Sequence, residues 1–140
     1  MTDNERAMYT GVAICRNTEV TQRWARSQIL LLIHSVMLSV ILTRIPPTFL
    51  FLLGFSVGGL VLTVFWYLVN WRTNKWIVYW QSRLAAFEKS ETNAGGTPVF
   101  TGPEWEKMTQ SWFVFHRLVN YLIGLLAFVW VVVFIWAFSV

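Results

Sequence analysis

A chain of 140 residues that is 56% hydrophobic and only 13% charged cannot coat a soluble domain with charge. Its uncharged runs at 27–43, 45–71 and 118–140 are each near or beyond the roughly 20 residues that a helix rising ~1.5 Å per residue needs to cross ~30 Å of hydrocarbon. What remains, a polar amino-terminal segment and the stretch from Arg72 to Arg117, excludes a separate catalytic domain with its own core; the net charge of +4 must sit beside the membrane.

The predicted fold class is an all-α membrane protein with three transmembrane helices, the second extending into the cytosol. Residues 1–26 are expected as a cytosolic helix: before Ile29 there is no proline and one glycine, Gly11, and Met8, Val12, Cys15 and Glu19 mark one face. Asp3, Glu5 and Glu19 in this segment do not fit a secretory signal, so the first span is expected to stay as an anchor. Cys15, the single cysteine, cannot form an intrachain disulfide and is expected as a small half-buried residue. Transmembrane helix 1 covers 27–43. An outer hairpin turn at 44–48 follows, because Pro46 and Pro47 lack the amide a helix needs and disfavour helix in the residue before each.

Transmembrane helix 2 covers 49–71, and the pattern does not stop there. Trp76, Trp80, Leu84 and Phe87 continue at helical spacing among Arg72, Lys75, Arg83, Glu88 and Lys89. The segment 72–117 is therefore read as a cytosolic helical extension, a breaker-rich loop over Glu88 to Pro98, and a short helix holding Trp105 and Met108. Thr101 can cap that helix, Pro103 has no amide to leave unpaired, and Glu104 and Glu106 suit the positive end of its dipole. Transmembrane helix 3 covers 118–140.

Orientation follows from the eleven Lys and Arg. All except Arg44 precede the first run or lie between the second and third, so the amino terminus and the middle segment are expected in the cytosol and the carboxyl terminus outside. The positive side meets anionic headgroups of the lipid bilayer; no nucleic-acid partner is expected.

His34 lies near the middle of the first run, with Ser35 and Ser39 on overlapping faces. Polar groups at that depth need partners, which points either to a buried hydrogen bond between helices or to a pore-lining ring. His116 adjoins Arg117 at the inner surface, a different level from His34, so the two do not make a haem site, and no cysteine or carboxylate lies in the spans; no metal and no cofactor are expected. Gly54, Gly58 and Gly59 clear side chains from the second span for close helix packing, within one protomer or between protomers. Trp66, Trp71, Trp76, Trp80, Trp105 and Trp112 gather on the inner side, either as an interfacial aromatic belt or, for Trp76, Trp80, Leu84, Phe87 and Trp105, as an oligomer interface.

The order of a polar helix entering span one, a short hairpin, a second span continuing through Lys75-Trp76, Trp80, Leu84 and Phe87-Glu88, a breaker loop, Phe100 and Glu104-Trp105 before span three resembles the RipA family of small octameric bacterial membrane proteins. In that family a Lys-aromatic pair, an aliphatic ladder ending in Glu, and a later Phe with Glu-Trp hold comparable places, and His34-Ser35 falls where members tend to have Asn-Ser. The resemblance implies a homo-oligomer, an octamer, in the bacterial inner membrane, with no established catalytic activity; the chain is not expected to be an enzyme. Two classes of function fit: a homo-oligomeric inner-membrane assembly acting as a pore or membrane-perturbing effector, and a small accessory subunit of a larger membrane enzyme complex. The apolar stripe beyond span two favours the first, because lipid does not cover it.

Overall fold

The structure, a computed structural model, describes residues 2–43, 47–92 and 103–139, with side chains at all of these except 90–92 and 103–116. Three α-helices account for nearly all of it: α1 (Asp3–Thr43), α2 (Phe49–Thr92) and α3 (Pro103–Ala137). There is no strand among the described residues, and all three helices are long and apolar enough to cross a membrane.

Each helix start has a local cause. Thr2 and Glu5 form a capping box: the Glu5 carboxylate accepts from the Thr2 amide at 2.7 Å and Thr2 Oγ1 accepts from the Glu5 amide at 3.4 Å. The Thr2 amide, and then the Thr2 hydroxyl, which donates to the same carboxylate at 3.1 Å, hold the Glu5 carboxyl below its ordinary pKa. α2 begins just after Pro47 and Thr48, whose carbonyl accepts the first bond, from the Leu52 amide at 3.0 Å. α3 begins at Pro103, where a missing amide costs nothing. It runs without a break to Ala137, so the expected short helix and the third span are one helix. α2 continues to Thr92, through Glu88 where the loop to Pro98 was expected to begin; the rest of that loop, residues 44–46 of the expected turn at 44–48 and the Thr101 cap lie outside the described residues, and Trp105 is described in its backbone alone.

The chain divides into two compact units, Met1–Trp24 with Trp71–His116 and Ala25–Asn70 with Arg117–Val140. In the second unit every helix buries residues in alternating steps of three and four. On α2 these are Leu52, Ser56, Gly59, Thr63, Trp66 and Asn70, and on α3 Val119, Ile123, Leu126, Trp130, Val133 and Ala137. Ser27, Leu30, His34 and Ile41 keep the same rhythm on α1. Such a seam is the 3.5-residue repeat of coiled-coil packing. Leu30, Trp66, Val119, Ile123 and Leu126 make one apolar cluster, and Ile41, Leu52, Trp130, Val133 and Ala137 another.

In the first unit the buried side chains among the described residues are Arg23 on α1 and Thr73, Ile77, Leu84 and Glu88 on α2. The Tyr9 hydroxyl donates to Glu88 Oε1 at 2.9 Å. The face expected from Met8, Val12, Cys15 and Glu19 is partly displaced: Val12 and Glu19 are half-buried, Met8 and the Cys15 expected as half-buried are exposed, and Tyr9, Ala13, Arg16, Val20 and Arg23 complete the covered side. Two arginines in the covered row hid it from a hydrophobic reading. Burial of their guanidinium groups pulls both Arg16 and Arg23 below the ordinary arginine range.

Candidate functional site

Two groupings of side chains stand out, one in each unit. In the second unit, His34 is wholly buried. Its Nε2 lies 3.1 Å from Thr63 Oγ1, and Thr63 spends its own proton on the Gly59 carbonyl at 2.7 Å, so the hydroxyl is left to accept and the imidazole donates through Nε2–H. The indoles of Trp66 and Trp130 flank the ring edge-on, both with centroids at 5.9 Å. The imidazole Nδ1 and both indole Nε1 atoms are enclosed with no hydrogen-bond partner among the described residues. Further along the seam Asn70 Nδ2 donates to Asn120 Oδ1 at 2.9 Å.

The structure separates the residues the sequence grouped with His34. Ser35 and Ser39 are exposed, and the Ser35 hydroxyl returns to its own helix, donating to the Leu31 carbonyl at 2.9 Å. At one and five residues from His34 they turn away from the seam, whereas Thr63, on another helix, faces it. Within the protomer His34 has no exposed surface, and its Nε2 is taken up by the bond to Thr63.

The three glycines separate as well. A Cβ on Gly59 would overlap the Trp130 ring, so glycine is required there; Gly58 has only an ordinary contact with Met37, and Gly54 faces open space. Within the protomer, close packing comes from Gly59 against Trp130, and Gly54 leaves its side of the helix open. Sequence reading missed Thr63, Trp130 and the Asn70–Asn120 pair. A hydroxyl one turn after a glycine, in a span that also faces a histidine, was the signal available.

In the first unit, Trp76, Trp80, Leu84 and Phe87 do not form one outward face. Leu84 is wholly buried within the chain, Trp80 and Phe87 are half-buried, and Trp76 is 45% exposed. The buried row runs through Thr73, Ile77, Leu84 and Glu88, one residue out of step with Trp76, and polar Thr73 and Glu88 within it disguised its register. The outward feature is an aromatic trio: Trp76 stacks on Trp80 at 6.1 Å, and Tyr79 stands edge-on to both, at 5.9 Å from Trp76 and 5.0 Å from Trp80. Cations ride on the same surface, with Lys75 Nζ 3.7 Å above the Trp71 ring and the Arg83 guanidinium 6.0 Å from that of Tyr79. Trp71, Trp76, Val78 and Tyr79 all remain exposed.

Three long apolar helices, polar side chains tied to one another inside them, and an aromatic surface left open define a small all-helical membrane protein. The chain belongs to the octameric membrane protein family (8xMP), whose family model matches residues 7–139. Searches of curated proteins and of solved structures found no match to the chain.

Proposed function

We propose that the chain is the protomer of a homo-octameric assembly in the bacterial inner membrane, acting as a structural, membrane-organising effector. The observation that supports this most is the open aromatic surface of Trp76, Val78 and Tyr79 on α2, placed beyond the second uncharged run and edged by Lys75, which rides on Trp71 at the end of that run, and by Arg83. Contiguous aromatic surface outside hydrocarbon is the composition of an interface core, and the family is one of octameric proteins. The distribution of Lys and Arg supports a cytosolic amino terminus and an outer carboxyl terminus.

His34 then acts within the protomer, pinning α1 to α2 through Thr63, and a conduit gated by a histidine ring is not part of the reading. Trp76→Ala combined with Tyr79→Ala should convert the oligomer to smaller species while helicity and membrane insertion stay as in the unaltered chain. The test is native mass spectrometry in mild detergent. An unchanged oligomer mass would refute the assigned interface, and fixed co-purification with larger subunits would favour the accessory-subunit reading instead.

A further inference from the structure

In the second unit an open groove of about 340 Å³ is lined by Arg26, Ile29, Leu30, Phe65 and Val69. That is room for roughly ten groups the size of a water molecule. Leu30 is buried at the groove while Ile29 and Phe65 stand open, and every lining side chain except Arg26 is hydrocarbon. Arg26 is exposed and immediately precedes the first uncharged run, so it stands where the chain enters the apolar layer. Ile29 and Leu30 follow within about one turn, ~6 Å further in. The groove therefore starts at a fixed positive charge and continues into apolar depth.

We propose that this groove seats the first methylenes of one acyl chain of an anionic phospholipid whose phosphate pairs with Arg26. The sequence of charge and then hydrocarbon complements that lipid. Guanidinium suits the partner too, since its planar fork matches phosphate oxygens two at a time and it is less strongly hydrated than an ammonium. A neighbouring copy of the chain is the weaker occupant. None of the runs 27–43, 45–71 and 118–140 contains a carboxylate, so the apolar surface of a copy carries no anion of its own, whereas an anionic lipid brings its phosphate and its acyl chain together. The inference stands apart from the octamer, because a lone protomer already holds the whole groove.

The test uses the full chain in mild detergent, titrated with dioleoylphosphatidylglycerol or dioleoylphosphatidylcholine, with retained lipid counted per protomer by native mass spectrometry. The phosphatidylglycerol should be retained about fivefold better, the factor expected for one Arg near an anionic headgroup. Arg26→Gln should abolish that preference and Arg26→Lys should keep part of it. Ile29→Trp should fill the groove and lower retention of both lipids at unchanged helicity; Val69→Trp, filling it from α2, serves where Ile29→Trp lowers helicity. Equal retention of the two lipids by the unaltered chain, a preference that survives Arg26→Gln, or retention indifferent to a filled groove would overturn the proposal. A filled groove that changes oligomer mass would overturn it as well, by showing that a second copy covers the site.

Discussion

The two units solve the same packing problem with different chemistry. In the second unit, which holds nearly all of the uncharged runs, burying apolar side chains gains little over leaving them in lipid, so cohesion must come from close fit and a few hydrogen bonds. Its seam accordingly contains a glycine pressed against a tryptophan, a histidine bonded to a threonine, and an asparagine pair. In the proposed topology the first unit lies outside hydrocarbon and can use the hydrophobic effect; Ile77 and Leu84 are buried there, as are Arg23 and Glu88, charges that surrounding water can help to solvate. Burial therefore reports different things in the two places: fit and polar pairing in the second, removal of apolar surface from water in the first.

Several substitutions would break or sharpen that contrast. Trp130→Ala is expected to be the most damaging, at about 3–5 kcal/mol, because it empties the slot over Gly59. Gly59→Val should also destabilise, by about 1–3 kcal/mol, and should be partly rescued when combined with Trp130→Ala. Unfolding in graded denaturing detergent, followed by circular dichroism, measures both. In the first unit Leu84→Ala should cost about 2–5 kcal/mol of protomer stability, whereas Trp76→Ala, two turns earlier and exposed, should leave the protomer nearly unchanged and weaken assembly. Equal effects of these two on protomer unfolding would erase the distinction between the buried row and the aromatic surface.

A smaller effect is expected at the histidine. Thr63→Val removes the acceptor of the His34 bond, and bonds of this kind between membrane helices are worth about 0.6 kcal/mol on average and at most ~1.7. The smallest effect is confined to alkaline solution. Burial first, and then the hydrogen bond to the Glu88 carboxylate and its charge, push the Tyr9 phenol up to about 12. A phenol raised above its unfolded value of about 10 keeps its proton in the folded chain where the unfolded chain has lost it. Its stabilising contribution is therefore full below about pH 10 and disappears as pH rises towards 12. Tyr9→Phe should flatten the stability profile in that window alone, and identical profiles for the two chains there would remove Tyr9 from the packed face.

Much of the architecture was legible because punctuation and run length carry it. Pro47 and Pro103 sit beside helix starts, and the absence of proline from residue 3 to 43 lets one helix continue through the first span. The faces were harder to read. Helices apolar nearly all round give little contrast between sides, and the second unit's seam holds Ser56, Thr63 and Asn70 while the first unit's buried row holds Thr73 and Glu88, which a search for hydrophobic stripes discards. That is why Leu84 was grouped with Trp76, from which the structure divides it, and why Ser35 and Ser39 were grouped with His34. The depth of His34 marked it as a residue needing a partner; which partner depended on the registry of α1 against α2, which no local pattern encodes.

The claim that most needs testing is that the exposed aromatic surface of α2 holds copies of the chain together. Native mass spectrometry of the full chain released from membranes into mild detergent, alongside the Trp76→Ala and Tyr79→Ala double variant, addresses it directly. The account expects a single species of eight protomer masses for the unaltered chain and a shift to smaller species, at equal helicity, for the variant. A monomer mass for the unaltered chain, or the same eight-protomer mass for both, would contradict it.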